Sequence, residues 1–144
     1  MTVQQILKTK GDAPVVTVPS SASLSDVAQV LSARRIGAVV VTDDGEHPLG
    51  ILSERDIVRE LGRRGVTCMS DPVTGVMTSK LVTCTRSDAL TGVMQKMTDG
   101  RFRHLPVMEG DRMVGFISIG DVVKFRLDEL AMEKEALEGM IKGF

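Results

Sequence analysis

An α/β (α+β) fold written twice is what the sequence predicts, and three observations predict it. The phrase GILSERD at residues 50–56 returns as GFISIGD at 115–121, with glycine, two apolar residues, serine and aspartate in the same places. Ahead of each phrase stand a short β-like run, a capped helical stretch, an apolar strand and a glycine turn, in the same order. Neither unit alone hides an apolar sheet face well, since domains this short bury only ~60% of their unfolded surface. Two β–α–β–β–α units packed sheet to sheet meet that need, with an extra helix at the C-terminus.

The elements follow in chain order. Residues 1–10, MTVQQILKTK, form an N-terminal helix or arm, and the first unit occupies 11–62. Its first strand is VVTV, with Thr17. SLSD then places Ser23 as N-cap and Asp26 three residues later, a capping box with Asp in place of Glu. Leu24, Val27, Ala28 and Leu31 recur at i, i+3, i+4 and i+7, one face of a helix. IGAVVV is β-branched and apolar, a buried strand. DDGEHPLG carries turn residues around Gly45 and leads to the strand LGILS. Residues 63–77 are Gly-rich and polar, and read as a connector.

The second unit, 78–126, repeats this with LVTC and Thr83, then TRSD, where Thr85 and Asp88 predict a second capping box. Leu90, Val93, Met94 and Met97 give the helical face. The turn MEGD, with Gly110, leads to the strand MVGFIS. Residues 127–144 are helical by propensity. Leu127, Leu130, Lys134, Leu137, Ile141 and Phe144 trace a narrow a/d stripe, which serves either packing on its own module or a dimer seam. Gly139 and Gly143 weaken the last turns.

Composition excludes several classes. Of 144 residues, 42% are apolar, enough for a core. Aromatics are 3%, with no Trp or Tyr, which argues against a base-stacking surface for single strands. Net charge is −1, with no basic footprint for nucleic acid. The first 126 residues carry 16 basic and 14 acidic side chains, the last 18 carry 2 and 5, so an acidic tail follows a mildly basic body. No segment approaches the ~18 apolar residues of a membrane span, and no signal peptide is legible. Cys68 and Cys84 make no disulfide framework. A cytoplasmic protein with reduced, buried or half-buried thiols is expected.

Ser–x–x–Asp at a strand-to-helix junction has two readings. It is a capping box, in which Ser53 and Asp56, or Ser118 and Asp121, satisfy backbone N–H groups. It is also a ligand site, because a helix N-terminus attracts anions and a carboxylate there accepts from vicinal hydroxyls, as in nucleotide sites that read a ribose diol. Gly50 and Gly115 allow a neighbour to approach each strand closely.

GILSERD, GFISIGD, RHLPV at 103–107, VVTV and LVTC, in that order over residues 11–126, resemble the CBS-domain proteins, built from tandem cystathionine-β-synthase-type motifs. The resemblance implies a paired module with two symmetry-related clefts for adenosine compounds: AMP, ADP, ATP, NAD(H) or S-adenosylmethionine. It implies that Asp56 and Asp121 accept from ribose hydroxyls, and that Ser53 and Ser118 face ribose or phosphate. Thr17 and Thr83 would touch ligand from the first strands. The backbone around Ala38 and His104 would border adenine, beside Pro106, and Arg55 or Arg103 would meet phosphate. The first unit lacks the His and Pro of the second, and SIGD lacks the charges of SERD, so the two clefts are expected to differ. Two such modules commonly associate, so a homodimer is expected.

His104 and His47 offer no nucleophile or base set, and His47 reads as a solvated turn residue. No metal-ligand spacing, Walker loop or GxGxxG occurs. Arg63–Arg64 and Arg101–Arg103 are basic spots, of which Arg103 abuts the expected cleft. The sequence thus predicts a non-enzymatic, nucleotide-sensing regulator of a separate partner, without nucleic acid or membrane. The alternative is a structural dimerisation module whose Ser–x–x–Asp phrases are only caps.

Overall fold

Capped helices flanking β-branched strands build each half of the chain. In a computed structural model, residues 1–11 and 14–142 are described. They group into a first unit, 14–82 with 109–114, and a second unit, 1–11 with 83–108 and 115–142. Gly143 and Phe144, the latter expected to extend the C-terminal stripe, lie outside the described residues.

In the first unit, β1 (Thr17–Val18) runs parallel to β2 (Ala38–Val41), which pairs antiparallel with β3 (Gly50–Ser53). β2 is central and buried throughout, as its β-branched run requires. Between β1 and β2 lies α2 (Leu24–Arg34), preceded in the chain by α1 (Val3–Lys10) of the second unit. α2 starts as read. Ser23 Oγ accepts from the Asp26 amide at 3.1 Å, and Asp26 Oδ2 accepts from the Ser23 amide at 2.9 Å. Leu24, Val27 and Leu31 meet Val39, Val41, Leu52 and Ile57 in the core. After β3, α3 (Glu54–Arg64) covers the sheet. The basic spot at its end is ion-paired: Glu60 takes Arg63 and Arg64, and Arg64 reaches Asp71 at 2.6 Å.

The connector does more than link. Its residues Val66–Ser70 and Val73–Gly75 form 3₁₀ turns that bury Cys68 and Val73 in the first core. The Asp71 carbonyl accepts from the Leu24 amide (3.0 Å), and the Val73 amide donates to Ala22 (2.9 Å). In the second unit the N-terminal residues take this place. Met1 accepts from Leu90 (3.2 Å), and the Val3 amide donates to Asp88 (3.0 Å). The repeat therefore starts earlier than the β-runs suggested, with MTVQQIL answering DPVTGVM.

The second unit contains α4 (Leu90–Gly100), β4 (His104–Glu109), β5 (Arg112–Ser118) and α5 (Ile119–Ile141). Leu90, Val93 and Met97 are buried as the helical spacing required. The expected Thr85 cap is corrected: α4 begins behind Ala89, with no side-chain cap. Thr85 and Asp88 instead close a turn, Asp88 Oδ2 accepting from the Thr85 amide at 2.9 Å. The helix needs no side-chain oxygen there, because Met1 answers the Leu90 amide and Ala89 bridges Thr2. The expected strand around Thr83 shrinks to a single bridge, Cys84 to Val107. Proline explains this. In the first unit the Val40 amide donates to Val16 and the Thr42 amide to Val18. The residue matching Val40 is Pro106, which has no N–H, so one rung cannot form. α5 continues without a break through the expected boundary at 126.

His47 departs from a freely solvated side chain. Its Nδ1 donates to Asp44 Oδ2 at 2.5 Å, and its Nε2 lies 3.4 Å from Asp111 in the β4–β5 turn. The hydrogen bond to Asp44, then that carboxylate's charge, raise the His47 pKa above its ordinary 6.5, with Asp111 adding to both. A group whose pKa rises on folding stabilises fully below its unfolded value and ceases to as pH climbs through the folded one. The melting temperature of the wild type is expected to fall between pH 6 and pH 9, and that slope to flatten in His47→Gln. Melts across that range, read by circular dichroism, check this; equal slopes would remove the pair from the fold's accounts.

Candidate functional site

Where β3 passes into α3, the chain gathers four of the expected site residues of the first unit. Ser53 is the N-cap: its Oγ accepts from the Asp56 amide (3.3 Å) and donates to Asp56 Oδ2 (3.0 Å), which also accepts from the Ser53 amide (2.9 Å). Arg59, one turn on, donates to Asp56 Oδ1 at 2.6 Å. Ala38 lies across the ladder from Ser53, and the Gly37 carbonyl accepts from the Glu54 amide at 2.9 Å. Arg55, on the first turn, is exposed and makes no ion pair among the described residues. A largely buried carboxylate and a strand backbone thus meet at the positive end of a helix dipole, with an exposed arginine on the helix's first turn.

The second unit repeats the construction. Ser118 caps α5, its Oγ accepting from the Asp121 amide (3.1 Å) while Asp121 Oδ2 accepts from the Ser118 amide (2.9 Å). The Arg103 carbonyl accepts from the Ile119 amide at 2.7 Å, as Gly37 does for Glu54. His104 opens β4 and stacks on Phe116, ring centres 5.4 Å apart. Asp121 has an additional partner: Lys10, in the last turn of α1, donates to its Oδ2 at 2.6 Å and to the Phe116 carbonyl at 3.1 Å. Burial works against ionisation of Asp121, but Lys10 and the Ser118 amide outweigh it and hold the carboxyl below its ordinary range.

The two starts differ by an exchange. In the first unit the residue before the strand is Gly37 and the second helical residue is Arg55; in the second they are Arg103 and Gly120. Each helix start thus has one arginine and one glycine, on opposite sides. Arg103 is exposed without an ion pair among the described residues, and a side chain at Gly120 would meet only Ser118 Oγ at 3.6 Å.

Thr17 and Thr83 stand apart from these clusters. Thr17 pairs with Val40, two strands from Ser53 and two residues along, roughly 12 Å away. Thr83 precedes the Cys84 bridge, and its carbonyl accepts from Lys96 at 3.0 Å. Pro106 is buried under that bridge, its carbonyl accepting from the Cys84 amide. Both cysteines are free and buried, and burial, with Asp88 nearby, pushes the Cys84 thiol up to about 12. Sequence reading missed Lys10 and Arg59. Arg59 was legible, at i+3 from Asp56 on one helix face; Lys10 was not, since only the fold brings it to Asp121. Among the described residues no cluster could hold a metal ion, and no helix is long and apolar enough to cross a membrane.

Both starts therefore place a capping carboxylate at the positive end of a helix. The family model described as CBS domain matches residues 3–63 and 73–128. A mitochondrial CBS domain-containing protein of Arabidopsis thaliana is 34% identical over 149 residues, covering 99% of this chain and 72% of that protein. Among solved structures, a CBS-domain containing protein from Agrobacterium tumefaciens is 44% identical with a TM-score of 0.83, covering 88% of this chain and 99% of that one. A CBS domain protein from Pyrobaculum aerophilum, complexed with AMP, is 28% identical with a TM-score of 0.73, covering 84% and 89%.

Proposed function

Because the chain belongs to the CBS-domain family, we propose that it is a regulatory module that binds an adenosine nucleotide at the starts of α3 and α5. Its occupancy is passed to a separate protein, and the chain works as a homodimer in the cytoplasm, binding rather than catalysing. The observation that carries this reading is the duplicated Ser–x–x–Asp start, each copy with an arginine free to meet phosphate. The AMP complex of the Pyrobaculum protein, at 28% identity, supports an adenosine compound as the ligand class. Asp56 and Asp121 then accept from ribose hydroxyls, Arg55 and Arg103 meet phosphate, and the backbone at Ala38 and His104 borders the base. By linkage, a partner that prefers the occupied form raises nucleotide affinity by the same factor.

A second reading is favoured by one observation: each carboxylate is already engaged as a cap and in an ion pair. On that reading the chain is a structural dimerisation module. A thermal-shift screen of AMP, ADP, ATP, NADH and S-adenosylmethionine separates the two. A nucleotide at 100 times its dissociation constant adds about 2.7 kcal/mol, a rise of several degrees. We expect one of the adenine nucleotides to give that rise; no shift with any compound would favour the structural module.

A further inference from the structure

Among the described residues, the last half of α5 is an exposed helix. Residues 131–138 are all exposed, and three turns of isolated helix are marginal in water. Apolar side chains along α5 nevertheless trace one line, with the exposed Met132 and Met140 off it. Val123, Leu127, Leu130, Leu137 and Ile141 recur at alternating 3- and 4-residue steps, with Lys134 completing the series. Leu127 and Leu137 are each 60% exposed and Ile141 85%. An exposed apolar stripe of this kind marks an interaction surface.

We propose that this stripe is closed by the same stripe of a second copy, the two α5 helices running antiparallel. The charges decide both occupant and direction. In a parallel pair Lys134 faces the second copy's Lys134 in the seam, and Glu133 of each copy flanks the other's Glu138, all of them like-charge contacts. In an antiparallel pair centred near residue 132, Val123 faces the second copy's Ile141, Leu127 its Leu137, and Leu130 its Lys134. Lys124 then flanks the second copy's Glu138, joining the basic start of the stripe to its acidic end. The one like pair, Glu133 beside the second copy's Glu133, has Arg126 of its own chain 3.8 Å away. The lysine lies over leucine, where its stem packs and its ammonium reaches solvent. Antiparallel helices also oppose their dipoles favourably.

The inference deepens the dimeric part of the proposed function, supplying its surface and direction, and is tested independently of nucleotide. Sedimentation equilibrium of the wild type is expected to give a dimer. Leu130→Glu with Leu137→Glu, both at exposed positions, is expected to raise the dimer dissociation constant by about 100-fold or more, with the native circular dichroism of residues 1–126 retained. Orientation is read by oxidation of single-cysteine additions. Val123→Cys and Ile141→Cys should not cross-link alone but should when mixed. A monomeric wild type, a double variant that stays dimeric, or cross-linking of either cysteine variant alone would overturn the proposal. So would a wild type that associates only with a different protein.

Discussion

Replacing Asp56 and Asp121 together by alanine is expected to lower adenosine-nucleotide affinity by about 10- to 100-fold at each site. A hydrogen bond to a charged group contributes about 1.5–3 kcal/mol, and each carboxylate is assigned the ribose. The variant also loses two capping boxes, about 1 kcal/mol of stability apiece. Loss of binding alone therefore does not separate a ligand role from a fold role. The chain contains its own control. Ser23 and Asp26 form the same box at the start of α2, with the same two bonds. No ligand is assigned there. Asp26→Ala should lose a comparable increment of stability and bind nucleotide as the wild type does. Calorimetric titration well below the melting temperature gives both affinities. If Asp26→Ala and the Asp56/Asp121 variant bind alike, the carboxylates are caps and nothing more. The single variants carry further information, because Asp56 is held by Arg59 of its own helix and Asp121 by Lys10 of α1. Nucleotide at the α5 start has to share Asp121 with Lys10, so its affinity should respond to Lys10→Ala while that of the α3 start does not.

What was legible in the sequence was whatever depends on local chemistry. Ser23, Ser53 and Ser118 announced three helix starts, and all three boxes form. The failures lie where a distant segment substitutes for a local signal. TRSD has the letters of a cap, yet Met1 and Thr2 occupy the start of α4 and the helix opens four residues later. A constant spacing would have exposed this: Thr17 to Thr83, Leu24 to Leu90 and Ala38 to His104 are each 66 residues apart, which sets Ala89, not Thr85, opposite Ser23. The connector misled through composition, since its glycines and polar residues hid Val73, a residue of the first core, although the burial of Cys68 was expected. Pro106 was read as part of a site, while its missing N–H also explains why the strand around Thr83 is only a bridge. The carboxylate partner Lys10 had no local signal, because nothing in LKTK states which residue 111 positions later it will meet.

Gly50→Ala is expected to destabilise the fold, and Gly115→Ala to leave it nearly unchanged, although the two glycines open the same repeated phrase. Neither has a positive φ, so alanine suits both backbones, and the stiffer unfolded chain returns about 0.4–1 kcal/mol. The difference lies in what the new methyl meets. At Gly115 it would come 2.6 Å from Leu7 Cδ2, the far end of a side chain that can turn aside. At Gly50 it would come 2.5 Å from Met77 Sδ, 2.8 Å from Cγ and 3.0 Å from the Thr78 carbonyl oxygen. That carbonyl cannot retreat freely, because it accepts from the Ile51 amide while the Thr78 amide donates to Ile51. Overpacking against such a neighbour costs about 1–3 kcal/mol, a fall of several degrees in a chain of this size. Adding Met77→Ala to Gly50→Ala should recover part of the loss and leave the part due to Thr78. Thermal melts of the three variants and the wild type measure the order, and equal losses at both glycines would refute the backbone as the cause. If the order holds, the repeated phrase divides by residue: its glycine admits the chain that closes each unit, and its serine and aspartate build the helix start.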